Sequence, residues 1–125
     1  TQAVLATTES SVPWSTIMIR KSFGVAAAAH YGPDGYVLAW PSAESGPLPL
    51  EGGVAVAFKK EIASAENPEA KRKELEEKMA KNQNPFPRAE AFSVHEIIDP
   101  RETRKYIALW AERIQSQLRA KLVSR

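Results

Sequence analysis

Residues 12–29 read VPWSTIMIRKSFGVAAAA, and the fold of the whole chain turns on how this stretch is interpreted. From Val12 to Lys21 the residues are mostly β-branched and apolar, with Pro13 near the start, which predicts a buried strand entered from a turn. Gly24 breaks that strand. The alanine-rich run VAAAAH at 25–30 favours helix until GPDG at 32–35 supplies a turn that ends it. Strand, glycine turn and helix in direct succession make an α/β unit, and the helix start leaves the backbone N–H groups of Val25 and Ala26 without an intrahelical acceptor. A terminus of this kind can stabilise an oxyanion, and removing one such donor from other enzymes costs about 3–4 kcal/mol. Strand–glycine–helix junctions are also commonplace in packing, so the residues alone leave both accounts of this junction open.

Working outward, residues 1–10 (TQAVLATTES) are expected to form the end of a helix with Ala3, Val4 and Leu5 inward. Tyr36 to Trp40 (YVLAW) is a second short buried strand, and Pro41 to Leu50 is a connection rich in Pro, Ser and Gly. Gly52-Gly53 precedes a helix over VAVAFKKEIA. Asn67-Pro68 offers an N-cap and first-turn proline for another helix running to about Asn82. On that helix Glu69/Lys73, Glu74/Lys78 and Glu77/Lys81 stand four apart, and Ala70, Leu75 and Met79 form its narrow apolar stripe. NPFPRAEAF (84–92) reads as a proline-rich turn into a short helix, and SVHEII (93–98) as a third short strand. Asp99-Pro100-Arg101-Glu102 has the form of a capped helix start. Ile107, Trp110, Ala111, Ile114, Leu118 and Leu122 then recur at helical spacing, which predicts a long amphipathic C-terminal helix. Three short strands are few for an α/β layer, so further strands are expected upstream.

At 125 residues the chain is at most one domain, with 43% hydrophobic and 26% charged residues. Its apolar runs fall short of the roughly 20 residues that span a bilayer, so no membrane segment is expected. Lys and Arg outnumber Asp and Glu by only 17 to 15, with the signs interleaved, which argues against a nucleic-acid partner. There is no cysteine and there are two separated histidines, so disulfides, thiolate catalysis and a metal site are not expected, and a reducing compartment is. The chain opens at Thr1 without a leader, which suggests a fragment or a processed chain.

Side-chain chemistry finds little support. His30 and His95 read as surface or packed histidines. Arg20 and Lys21, at the end of a buried strand, either reach solvent or attract an anion, and Gly52-Gly53 either binds an anion at a helix start or permits close packing. Lys59 and Lys60 read as the exposed end of a helix, and the stripe around Trp110 as core of a larger protein or a partner surface.

A family resemblance sharpens the picture. VPWSTIMIRKSFGVAAAAHYGPDGYVLAWPSAE followed by EGGVAVAFKKEI resembles the second half of the carboxyltransferase (beta) subunit of acetyl-CoA and propionyl-CoA carboxylases, and PFPRAEAFSVHEIIDPRETR resembles its closing segment. Four matches, the RK-aromatic-Gly junction, LAWP-Ser-Ala-Glu, Glu-Gly-Gly-Val and the IIDPRETR helix start, fall in the same order and cover most of the chain. The resemblance implies a crotonase-like (ClpP/crotonase) α/β domain fragment. Residues 1–125 would be the C-terminal part of the C-terminal domain, with an N-terminal domain upstream and active sites formed between subunits of a homo-oligomer. It further implies transfer of a carboxyl group from carboxybiotin, carried by a biotin carboxylase/biotin carrier partner, to the α-carbon of an acyl-CoA, in the cytoplasm or the mitochondrial matrix. The biotin nitrogen would act as base and backbone oxyanion holes would stabilise the charge, with no metal. By position, the donors would be the N–H groups of Val25 and Ala26, with Gly24 permitting the turn, and Ala27 and Ala28 would shape the acyl pocket. The family usually reads Gly-Gly-Ala where this chain has Gly24-Val25-Ala26. A valine N–H donates equally well unless its φ must be positive. Two alternatives keep the fold: a biotin-dependent decarboxylase or transcarboxylase subunit, and a noncatalytic interaction or assembly module.

Overall fold

A computed structural model describes residues 2–32 and 35–123, so Thr1 and the Pro33-Asp34 pair of the expected turn lie outside the described residues. Helix α1 (Gln2–Glu9) is followed by strands β1 (Ser15–Met18) and β2 (Lys21–Phe23), helix α2 (Gly24–Ala29), and strands β3 (Tyr36–Ala39) and β4 (Glu44–Gly46). Four helices come next: α3 (Leu50–Ala57), α4 (Lys59–Ser64), α5 (Pro68–Ala80) and α6 (Pro85–Glu90). A two-residue strand β5 (Glu96–Ile97), a 3₁₀ turn (Pro100–Glu102) and the long helix α7 (Thr103–Val123) complete the chain.

The strands form two sheets. β1, β3 and β5 lie side by side in the order β1-β3-β5, all parallel, with Ile17 opposite Leu38 and Ala39 opposite Ile97. β2 and β4 form a separate parallel pair, Ser22 opposite Ser45. The chain therefore walks a spiral: one strand in the first sheet, a corner, one strand in the second, then a helical return. The β1–β2–α2 turn and the β3–β4–α3 turn repeat that path.

The single strand expected over 12–21 is thus two. Ile19 and Arg20 make the corner between them. A second corner stacks on the first: the Trp40 N–H donates to the Met18 carbonyl (2.9 Å), Ser42 Oγ to the Ile19 carbonyl (2.8 Å) and the Glu44 N–H to the Arg20 carbonyl (2.8 Å). The second corner supplies the donors that the first corner's carbonyls need, so the Ile19-Arg20 corner bends without a glycine or proline of its own. β4 lies inside the segment expected to be a loop, held by β2 on one side and by the Ser45 N–H bond to the Gln83 carbonyl (2.8 Å).

The core sits on the first sheet. Met18, Val37, Ala39, Ala43 and Val94 form one buried cluster, with Tyr31, Ala89 and Ile97 packed against it. Leu38, Val54 and Ile98 are also fully enclosed. In α1 Val4 is half-buried, whereas Ala3 and Leu5 face outward, contrary to the expected inward trio.

Helix starts follow their caps. Asn67 Oδ1 accepts the Ala70 N–H (3.1 Å) and Asn84 Oδ1 the Phe86 N–H (3.1 Å), each ahead of a first-turn proline. Asp99 accepts the Arg101 N–H (2.9 Å), although the first turn it opens is 3₁₀ rather than α. On α5 the ion pairs run Arg72 to Glu76 and Lys73 to Glu77, the reverse of the expected direction, while Lys71 joins Glu74 to Glu61 of α4. Leu75 is the buried member of that helix's stripe, Met79 is half-buried and Ala70 is exposed.

The helix over Val54 begins four residues earlier, at Leu50, and breaks at Phe58. Gly53 approaches Leu48 closely enough that a Cβ would stand 3.0 Å from the Leu48 Cβ, which favours the packing account for Gly53, whereas Gly52 has open space around it and is set apart by its φ of +81°. On α7 Trp110, Ala111, Ile114 and Leu118 are half-buried and Ile107 is exposed, while the Leu122 side chain lies outside the described residues. Trp40 Nε1 donates to Thr103 Oγ1 (2.9 Å) and ties the start of α7 to the β3–β4 corner. No helix among the described residues is long and apolar enough to cross a membrane.

Candidate functional site at the Gly24 turn

β2 ends at Phe23, whose backbone is extended (φ −122°, ψ 147°), and α2 begins at once. The reversal falls entirely on Gly24, with φ +77°, a region that costs an L side chain about 1–2 kcal/mol. Space is not the constraint, because a Cβ on Gly24 would meet only the Pro47 carbonyl oxygen at 3.8 Å. Among the described non-glycine residues only Phe92 has positive φ, so Val25 keeps ordinary helical backbone and the departure from Gly-Gly-Ala carries no strain.

No side chain caps α2. The N–H groups of Gly24, Val25 and Ala26 occupy the first turn and have no carbonyl within the helix to receive them. Val25 is 74% exposed, which places these donors at the surface of the described residues. α2 itself reads GVAAAA and carries no acidic or basic side chain, so the site offers neutral, directional donors to an oxygen that gains negative charge.

Two cavities flank the helix. One, of about 530 Å³, runs along β1, β2 and the corner between them and is lined by Arg20, Lys21, Ser22, Ala27, His30 and Tyr31. The other, of about 210 Å³, lies between α1 and α2 and is lined by Val4, Thr7, Thr8, Val25, Ala28 and Gly32. Ala27 and Ala28 therefore front different spaces, not the single pocket their adjacency suggests. Arg20 and Lys21, left open by the sequence, and His30, read there as a surface or packed histidine, converge with Ala27 on one cavity. A third space of about 610 Å³, between β4 and helices α4–α6, involves none of residues 24–28.

His95 lies elsewhere, at the entry to β5. Its backbone N–H donates to the Val37 carbonyl (2.8 Å), and its ring Nδ1 accepts the Val37 N–H (3.1 Å). The imidazole thus replaces a carbonyl that the two-residue strand is too short to supply, which assigns the remaining proton to Nε2. Neither a motif nor a hydrophobic period marks that role.

Displaced ionisations gather near β5 and the start of α7. Burial and the neighbouring Glu96 carboxylate raise the Tyr36 phenol pKa, and a hydrogen bond to Glu96 (2.9 Å) raises that of Tyr106. The Arg101 guanidinium and backbone N–H hold the Asp99 carboxyl down to about 2. Among the described residues no group of three or more His, Cys, Asp or Glu side chains could hold a metal ion.

Comparison with known proteins follows the same outline. The family model described as "Carboxyl transferase domain" matches residues 1–125. The chain is 38% identical over 107 residues to the methylmalonyl-CoA carboxyltransferase 12S subunit of Propionibacterium freudenreichii, covering 82% of this chain and 20% of that protein. It is 36% identical over 104 residues to the propionyl-CoA carboxylase carboxyltransferase subunit of Haloferax mediterranei, covering 79% and 20%. It is also 36% identical over 107 residues to the methylmalonyl-CoA decarboxylase subunit alpha of Propionigenium modestum, covering 82% and 20%. The crystal structure of the transcarboxylase 12S hexamer with methylmalonyl-CoA and methylmalonic acid bound superposes with a TM-score of 0.75 at 32% identity, over 92% of this chain and 23% of that one. The chain spans about a fifth of the length of these relatives. With the spiral of two sheets, the glycine turn and the family match over its whole length, the chain belongs to the carboxyl transferase domain family.

Proposed function

We propose that residues 1–125 are the C-terminal part of the C-terminal domain of a biotin-dependent acyl-CoA carboxyltransferase, and that the Gly24 turn is one of its oxyanion sites. The observation that carries this reading is the confinement of positive φ to Gly24 at the start of an uncapped helix, which leaves the Val25 and Ala26 N–H groups available side by side. Carboxybiotin, when bound, would supply the transferable carboxyl group and, once that group has left, a ureido nitrogen able to take the acyl-CoA α-proton. The turn's neutral donor pair suits the ureido oxygen, whose negative charge grows as the carboxyl group leaves. Donors that strengthen only as charge develops lower the barrier without tightening substrate binding. Catalytic side chains are not required for this role, in keeping with the side-chain-poor α2.

An N-terminal domain, a biotin carrier with its biotin carboxylase and further copies of the chain are the proposed partners, in the cytoplasm or mitochondrial matrix. Ala27 and Ala28 are proposed to shape the acyl side of the site from its two flanking cavities. The relatives include a decarboxylase subunit and a transcarboxylase subunit, so a second reading keeps the site and changes the donor or acceptor that partner chains present.

The test is Ala26→Pro in the complete carboxyltransferase assembled with its biotin carrier. This removes one N–H at a first-turn position where proline is tolerated. The expected result is a fall in kcat of about 100- to 1000-fold with acyl-CoA affinity retained. Full activity in a correctly assembled variant would leave the turn without an oxyanion role and favour a noncatalytic module. In the same assay Ala28→Ile is expected to shift preference toward shorter acyl chains. An unchanged ranking of acyl-CoAs would remove Ala28 from the pocket.

A further inference from the structure

The Gly24 turn must hold its donors in one orientation, yet α2 has six residues, far fewer than the roughly 12–15 at which an isolated helix begins to be stable. Its N-terminus has no side-chain cap and its alanines bury little surface. Something outside the helix has to fix it. Two contacts do so, both made just past its last turn. Thr16 Oγ1, on β1, donates to the His30 carbonyl at 2.6 Å. The phenol of Tyr31, whose own N–H closes onto the Ala28 carbonyl (3.1 Å), reaches back to Ser22 Oγ at 3.0 Å. Tyr31 Oη also donates to Met18 Sδ (3.3 Å), a member of the buried core. With the single phenolic proton on sulfur, the Ser22 hydroxyl donates to Tyr31.

Ser22 precedes Gly24 by two residues and Tyr31 follows α2 by two. The Ser22–Tyr31 bond therefore closes a ring around β2, the glycine turn and the helix, and the bond to Met18 fastens that ring to the core. Resting on the oxyanion reading of the turn, we infer that Tyr31 is a positioning residue: its phenol, through Ser22 and Met18, sets the direction in which the Val25 and Ala26 N–H groups point. Tyr31 and Ser22 also line the cavity beside Ala27, so the clamp stands at the wall of the site and not in a distant part of the fold. Oxyanion donors act through orientation, and a displacement on the order of 1 Å can cost about 100-fold in rate.

The experiment compares Tyr31→Phe, Ser22→Ala and the double variant in the complete carboxyltransferase with its biotin carrier. Steady-state kinetics are read beside assembly size and melting temperature, with Ala26→Pro in parallel. The inference expects each single variant to lower kcat about 10-fold or more at unchanged KM for acyl-CoA. The double variant should be no slower than Tyr31→Phe, which already lacks both the Ser22 and the Met18 bond. If kcat is retained in Tyr31→Phe and Ser22→Ala while Ala26→Pro is inactive, the clamp is refuted and the oxyanion reading stands. If Ala26→Pro is active, the oxyanion reading falls and takes this inference with it. Activity that falls only in step with the loss of assembled protein shows a merely structural bond and also refutes the inference. Should Tyr31→Phe fail to assemble, Ser22→Ala reads the same bond from its other end.

Discussion

Replacing His95 by leucine removes the one acceptor of the Val37 N–H, and the size of the effect can be worked from its surroundings. Val37 is 5% exposed and its amide points toward β5 in a part-buried bond, while the His95 that closes the bond is exposed, so water takes up part of what is lost. A fully buried donor left unpaired costs about 1–3 kcal/mol, which is the upper bound for this part-buried one. The imidazole also packs on the Tyr36 ring, centroids 5.3 Å apart at 57°, and an aromatic pair is worth about 0.5–1.5 kcal/mol. Two further substitutions separate these terms. In His95→Asn, Oδ1 stands one bond from Cγ as Nδ1 does, so the acceptor is kept while the aromatic pair disappears. His95→Phe keeps the ring and removes the acceptor. Hydrogen exchange of the Val37 amide, followed in the peptide spanning β3, reads the local opening directly. Leucine and phenylalanine are expected to speed that exchange by up to roughly 150-fold, at about 1.4 kcal/mol per tenfold, and asparagine by much less. Exchange faster in His95→Asn than in His95→Phe would mean that ring packing, not the backbone bond, holds β5 to the sheet.

Two further outcomes are expected. Phe92 has φ +55° while its side chain is 91% exposed, so Phe92→Gly relieves backbone strain and gives up little burial. A gain of about 1 kcal/mol in unfolding free energy is expected, and a loss would show that the phenyl ring packs against a surface beyond these residues. Asp99 titrates near 2 rather than its usual 3.8, because Arg101 bonds its charged form. Since the folded value is the lower one, the stabilisation is present above about pH 4 and is lost as pH falls through about 2. Carboxyl NMR should place the midpoint there and return it toward 3.8 in Arg101→Ala, and an unmoved midpoint would leave the ion pair without effect.

Asp99-Pro100, Asn67-Pro68 and the Gly24 break announce themselves in the sequence because capping and positive φ are local demands that few residue types meet. The Ile19-Arg20 corner is invisible there for the opposite reason: its bend is satisfied by a second corner about twenty residues away, and no local residue has to yield. β4 is hidden likewise, since three residues flanked by prolines become a strand only when β2 lies alongside. The direction of the α5 ion pairs depends on which rotamers reach, which spacing alone does not fix. The donor turn is legible at Gly24, but the division of Ala27 and Ala28 between two cavities is set by α1 and the β1–β2 corner. The Tyr31 clamp depends on side chains meeting across the helix, and the His95 acceptor on where a neighbouring strand runs out.

Because Gly24 alone absorbs the left-handed backbone, position 25 is relieved of any conformational duty beyond ordinary helix. Its amide can serve the site while its side chain, 74% exposed, faces outward. Backbone and side chain of one residue are thereby uncoupled: a substitution at Val25 changes what the cavity between α1 and α2 meets without disturbing the amide beneath it.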